Sequence, residues 1–321
     1  MDVAPKGFPS FVTQQEAKPW SVAVFARDEA GRIGTCLRAL SRCDGAGRLH
    51  VTVMLNGTTD ASPAIAAEAM RGSGLAGAIY TIPHGDKSHA VNLFLHRLRP
   101  DAGLYLMLDG YAEIRPDAPV LLARRLGETP QAQGAAAVPS TGRSAAALRR
   151  DMLEHPGLHG SLFALRDTFV ERLVQAGIRL PRGLYRGDGL LGSMLMHDLD
   201  ALGGGWVASR IAVEPDASWA TAPGHPLRWR DLRRHGRRLL QQARGRLQTA
   251  ALRAAIYSGG FANLPEDADR MVLNWIAEDP DARRPRLQRD PFARLALARM
   301  RQAGPAPSAA ELEPLLLWES A

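Results

Sequence analysis

Asp109 closes an apolar run at 104–108, where a carboxylate is poorly explained by packing because the run offers it no obvious charge partner. Mg²⁺ or Mn²⁺, held by one or two carboxylates together with substrate phosphates, is the chemistry such an acid suits. A turn-forming aspartate before Gly110 is the structural alternative. Lys87 follows His84-Gly85-Asp86 at a helix start, a position suited to a diphosphate. The segment is not a Walker A loop, because Asp86 splits the Gly-Lys pair and neither position 80 nor position 81 is glycine. Asp188, just before an apolar helix over 190–196, could take the proton of an attacking hydroxyl or simply cap that helix.

Two further polar segments follow apolar runs. In Arg27-Asp28-Glu29 the acids could meet a ribose or base, or complement a helix dipole. In Asn56-Gly57-Thr58-Thr59-Asp60, Asn56 could bond a nucleobase edge while Asp60 caps the next helix. Residues 72–77, Gly-Ser-Gly-Leu-Ala-Gly, satisfy the dinucleotide fingerprint, but they follow a helix and precede a strand. That context is reversed, which disfavours a dehydrogenase.

These residues need elements to position them. Strand-like runs at 20–26, 49–55, 78–82 and 104–108 alternate with helix-like segments at 30–42, 61–71 and 88–98. That rhythm predicts an α/β fold with a mainly parallel sheet flanked by helices. In such sheets ligands bind beyond the carboxyl ends of the strands, where all of the polar segments above fall. A helix at 119–125 and strands at 135–138 and 161–165 continue the pattern. A Pro/Gly/Ser break at 217–225 then leads to an arginine-rich helical stretch at 228–257 and further helices over 266–321. The reading is a domain over 1–220 and a helical C-terminal region over 221–321.

In motif order, residues 20–240 resemble the family 2 glycosyltransferases, which have the GT-A fold. The segment 24–29, Val-Phe-Ala-Arg-Asp-Glu, looks like that family's first strand and its ending. Residues 56–60 are similar to its Asp/Asn-Gly-Ser-Thr-Asp turn, and 85–92 to its Gly-Lys…Ala-Leu-Asn helix start. Asp109-Gly110-Tyr111 stands where the metal-binding Asp-X-Asp belongs, with Tyr111 in place of the second acid. His159–Phe163 resembles the acceptor-side strand, and Asp188 the late catalytic acid, with Gly187 where a second acid often stands. His225-Pro226-Leu227-Arg228-Trp229 is similar to the Gln-X-X-Arg-Trp motif of processive members, although Arg237 or Arg238 fits the basic role equally well.

The resemblance implies sugar transfer, hexosyl or related, from a nucleotide-diphosphate donor to an acceptor hydroxyl, with inversion. Asp188 would be the base. Arg27, Glu29, Asn56, Asp60, Lys87, Asp109, Tyr111 and Arg228 would hold the donor, UDP-sugars first. Mg²⁺ or Mn²⁺ would sit on Asp109, with His225 either a further ligand or a loop residue before proline. A carbohydrate or lipid-linked acceptor, and a role in polysaccharide or glycolipid synthesis, come with the family.

Composition bounds the alternatives. The 321 residues are 45% apolar, enough for a full core. No run of 18 apolar residues predicts a membrane span, and the start lacks a secretory stretch. Cys36 and Cys43 fit no metal spacing and read as buried thiols. A cytoplasmic protein is expected, with peripheral contact at the inner membrane face left open. The net charge of +7 is carried almost wholly by arginine, with lysine only at 6, 18 and 87. A binder of anionic membranes or nucleic acid, built on Arg228, Arg230, Arg233, Arg234, Arg237, Arg238, Arg244 and Arg246, is one rival. Trp229 is the lone aromatic in that stretch, so base stacking and nucleic acid are disfavoured. An inactive nucleotide-sugar-binding relative, suggested by Tyr111, is the other.

Overall fold

The computed structural model describes residues 18–142, 144–221, 229–281, 290–302 and 304–320, with the side chains of 229–238 outside that description. The core strands are β1 (Trp20–Ala26), β2 (Leu49–Asn56), β3 (Ala76–Ile82) and β4 (Leu104–Asp109). β5 (Ala112–Ile114), β6 (Gly134–Pro139), β7 (Leu162–Arg166), β8 (Ile211–Thr221) and β9 (Leu315–Glu319) complete one nine-stranded sheet. Its order is β5-β8-β6-β7-β4-β1-β2-β3-β9. The β4-β1-β2-β3 section is parallel, whereas β7 runs antiparallel to both β4 and β6. β1, β2 and β4 read as near-continuous apolar runs because helices cover both faces.

One face carries α1 (Ile33–Ser41), α2 (Ser62–Ser73) and α4 (Ala118–Glu128); the other carries α3 (Lys87–Leu93), α6 (Asp167–Gln175) and α7 (Gly187–Met196). α5 (Ala145–Glu154) lies between α4 and α6 in the chain and adds Met152 to the second face. Prolines in the first turns of α2 and α4 start those helices, and Gly74 in the left-handed region ends α2. The two-residue period of β4 divides its side chains between the faces. Leu104, Leu106 and Leu108 join the α1/α2 core, while Tyr105 and Met107 join the α3/α7 core. Asp109 continues the Tyr105–Met107 row, so its carboxylate faces the side on which α3 and α7 begin.

The C-terminal region departs from expectation in two ways, at 217–221 and at its last segment. Residues 217–221 are not a break but the end of β8, which pairs with β6 and β5. The arginine-rich stretch is helical, as expected: α8 (Trp229–Gly259) is followed by α9 (Ala268–Glu278), α10 (Pro291–Arg301) and the short α11 (Ala309–Leu312). The chain then ends in a strand rather than a helix: β9 pairs antiparallel with β3. Leu240, Leu247, Leu252, Met271 and Leu297 belong to the same hydrophobic cluster as Leu191, Met194 and Leu195 of α7.

Candidate active site

A cleft of ≈ 740 Å³ opens at the carboxyl ends of β4 and β1, between α3, α7 and α8. Lys87, Asp109, Tyr111 and Asp188 all line it. Asp109 sits at the last position of β4, beside Phe25 of β1, and is 7% exposed. Both of its oxygens are engaged: Oδ1 pairs with the Lys87 ammonium, and Oδ2 accepts from the Tyr111 hydroxyl at 2.6 Å. The sequence showed no charge partner for this aspartate; Lys87 supplies one from 22 residues away. Burial first, and then the Asp109 charge, raise the Tyr111 pKa, so the phenol stays a proton donor.

Lys87 is aimed by the turn before it. Asp86 caps α3, accepting from the backbone N–H groups of Ser88 and His89, and its other oxygen accepts from Gly183 N–H at 2.7 Å. Asp188 lies in the first turn of α7, where its Oδ2 accepts from Gly160 N–H at 2.8 Å and its Oδ1 from Gly189 N–H at 2.9 Å. It does not cap α7; Arg186 holds that position.

Gly160 joins the two halves of the site. The point a Cβ would occupy on it lies 3.1 Å from Lys87 Nζ, 3.3 Å from Asp188 Oδ2 and 3.5 Å from Asp109 Oδ2. The charged groups therefore converge on one spot kept open by the missing side chain. Next to it, His159 stacks on Trp219 of β8, with ring centroids 4.9 Å apart. Burial lowers the His159 pKa, opposed by the nearby Asp188 and Asp109 charges and aided by Lys87. Its Nδ1 takes the Ser161 N–H at 3.3 Å, an acceptor role only the neutral ring can play.

The other expected donor contacts, Arg27, Glu29, Asn56 and Asp60, do not line the cleft; they lie at the carboxyl ends of β1 and β2 and in the loops that follow. Arg27 lies over Gly85 and donates to its carbonyl at 3.2 Å, alongside the Lys87 turn. Asp60 Oδ2 accepts from Ala30 N–H, while Oδ1 accepts from the Ser62 N–H and hydroxyl; it binds the β1 and β2 loops together, and Ala61 rather than Asp60 is the residue preceding α2. Asp28 adds to that tie, accepting from Thr59 N–H at 2.7 Å. The Glu29 carboxylate is 3.5 Å from Arg32. Asn56 is 3% exposed, and its amide donates to the Ala26 carbonyl at 3.2 Å. Arg228 and His225 lie outside the described residues. Sequence reasoning named His159 only as the first residue of an acceptor-side strand, and gave no site role to it or to Gln242, Tyr185 and Arg186, which line the cleft. The signal for His159 was its place beside Gly160 at the start of a strand.

Among the described residues, the donor set does not fit a divalent metal. One carboxylate is present at the expected position, and an ammonium and a hydroxyl occupy its oxygens. Tyr111, kept protonated, replaces the second anionic ligand, and the described residues contain no group of three His, Cys, Asp or Glu able to hold an ion. Two of the eight arginines suggested for an anionic surface are committed within the molecule, Arg244 to Asp269 at 2.8 Å and Arg246 to Asp290. No helix among the described residues is long and apolar enough to cross a membrane. Cys36 and Cys43 are free and buried.

By sequence, no protein-family model and no curated protein matches the chain. Solved structures do match. Mannosyltransferase PcManGT from Pyrobaculum calidifontis, in complex with GDP-Man and Mn²⁺, aligns with a TM-score of 0.55 at 20% identity, over 92% of this chain and 78% of that one. S. aureus TarS aligns with a TM-score of 0.52 at 15% identity, over 80% of this chain and 43% of that one. TarS 1-349 in complex with UDP-GlcNAc gives 0.50 at 16% identity, covering 89% and 82%. The chain thus has the GT-A glycosyltransferase fold: a central, mostly parallel sheet flanked by helices.

Proposed function

We propose that this protein is an inverting glycosyltransferase that moves a hexosyl or related sugar from a nucleotide-diphosphate donor to an acceptor hydroxyl. The observation that carries the reading is the convergence of Lys87, Asp109 and Asp188 on the empty Cβ position of Gly160, at the carboxyl end of the parallel strands. A cation for a diphosphate and a base for an alcohol thereby face one another across a space open to a sugar. That PcManGT was solved with GDP-Man and TarS 1-349 with UDP-GlcNAc supports a donor of this class.

The step needs few parts. The acceptor oxygen attacks the anomeric carbon from the face opposite the diphosphate, and Asp188 takes the hydroxyl proton. The bond from the anomeric carbon to the phosphate oxygen breaks, and the diphosphate leaves against Lys87. Positioning in line and charge neutralisation supply most of the rate. His159, neutral and stacked on Trp219, forms the wall between the two halves. The apolar side chains Leu148, Met152 and Leu158 on the cleft wall suit a carbohydrate face or a lipid-linked acceptor, which supports a role in polysaccharide or glycolipid synthesis.

A positioned base contributes about 10²–10⁴-fold, so Asp188→Asn lowers kcat by roughly that range while nucleotide affinity is kept. A screen of UDP-, GDP-, ADP- and CDP-sugars for donor turnover finds the substrate first. Nucleotide binding without turnover of any donor would favour a non-catalytic relative. Unchanged turnover in Asp188→Asn would remove Asp188 from the mechanism.

A further inference from the structure

We propose that Lys87, held by Asp109 and Tyr111, takes the place of a divalent cation at the diphosphate, making donor binding and transfer independent of metal. This deepens the function proposed above and rests on it. The charge at the site supports it. With Tyr111 in place of the second acid, one carboxylate remains at this position, and the Lys87 ammonium alone balances it.

Geometry supports it too. Asp109 is 7% exposed and has a Lys87 contact on one oxygen and the Tyr111 hydroxyl on the other, so its charge is balanced and its orientation fixed. An arriving cation would have to displace Lys87 and strip the tyrosine bond, and would then meet a positive charge beside it. Lys87 itself is not used up by the pair. Its side chain remains 45% exposed, and an ammonium has three N–H groups, of which Asp109 takes one. The Gly160 position 3.1 Å from Nζ shows that the open side of Lys87 faces the cleft and Asp188. The remaining N–H groups can therefore follow the bridging oxygen as negative charge builds on it, with Asp109 and Tyr111 as positioning groups.

Thermal-shift and calorimetric titration of UDP, GDP, ADP and CDP, each in EDTA and in excess Mn²⁺, test the proposal. The expected result is a nucleotide whose Kd in EDTA matches that in Mn²⁺ within about 3-fold, a gap of under 1 kcal/mol. Lys87→Met weakens that Kd by roughly 10-fold or more, and Lys87→Arg, which keeps the charge, restores most of it without metal. Tyr111→Asp in the Lys87→Met background rebuilds two acids and binds the nucleotide tightly only with Mn²⁺. Should Lys87→Met fail to fold, the EDTA comparison on the wild-type chain and on Lys87→Arg still decides. Wild-type binding that appears only with Mn²⁺ overturns the metal-free site and leaves the glycosyltransferase reading standing. Binding of no nucleotide under either condition overturns both.

Discussion

A methyl group on Gly160 would be pressed against Lys87 Nζ and Asp188 Oδ2, at 3.1 and 3.3 Å. The lysine is the end of a flexible chain and can retreat, so Gly160→Ala should fold with a near-normal melting temperature. Its cost belongs to chemistry. The charged groups would be displaced by a few tenths of an ångström, which lowers kcat by roughly 10-fold, measured as donor turnover at saturating acceptor. His159 makes a second prediction. Its pKa is lowered in the native state by burial, so below about 6.5 the unfolded chain takes up a proton that the folded chain resists. Stability therefore rises with pH from the native value of His159 up to about 6.5, and falls on acidification through that window. Urea denaturation of wild type and His159→Gln across that range should show a shallower slope in the variant. At this scale the sequence revealed Asp109, Lys87 and Asp188, because acids and cations at strand ends stand out against apolar runs. It could not reveal that Lys87 and Asp109 are partners, since their pairing depends on the register of β4 and the start of α3.

Elements carry the next layer. The C-terminal segment reads as helix because Leu315, Leu316 and Leu317 form an unbroken apolar run, whose period does not separate a strand from a helix. Its fate is decided by the open edge of β3, which β9 covers. β8 was missed for another reason: Glu214, Pro215 and Asp216 interrupt its apolar pattern at a shift in register with β6. By contrast, the parallel strands and their helices were legible because short apolar runs alternate there with segments of helical period. The C-terminal segment also reaches the site. His84 N–H donates to the Glu311 carbonyl at 2.9 Å, His89 Nε2 lies 2.8 Å from the Leu312 carbonyl, and Arg97 pairs with Glu313 at 3.0 Å. These contacts flank the turn that holds Lys87. Truncation after Pro307 should lower kcat by about 10-fold through loss of Lys87 positioning, with aggregation from the bared β3 edge visible by light scattering. Gly57 ties the same turn from the other side: it adopts φ +58°, and a side chain there would run into the Gly85 backbone.

Across the whole molecule, the question is whether the arginine-rich region is an appendage or part of one cooperative unit. β8 ends at Thr221 and α8 begins at Trp229, beyond the expected boundary near residue 220, and the core does not divide there. α7 packs into the same cluster as α8, α9 and α10. Gln248 of α8, 1% exposed, accepts from Tyr185 N–H at 2.9 Å and donates to the Gly183 carbonyl and to Asp269 Oδ1, both at 3.0 Å. Gly183 in turn donates to Asp86, the residue that caps the Lys87 helix. One chain of hydrogen bonds thus runs from the C-terminal helices, through the loop before Asp188, to the turn of Lys87. If that chain transmits order, calorimetry should record a single unfolding transition rather than one for each region. Gln248→Leu leaves the part-buried Tyr185 N–H and Gly183 carbonyl without this partner, at a cost of about 1–3 kcal/mol. The whole transition should move down together, and kcat should fall with it, because both the base and the ammonium lose their support. Two separable transitions, with the Gln248→Leu effect confined to one, would make the C-terminal helices an independent module and the site a property of the sheet alone.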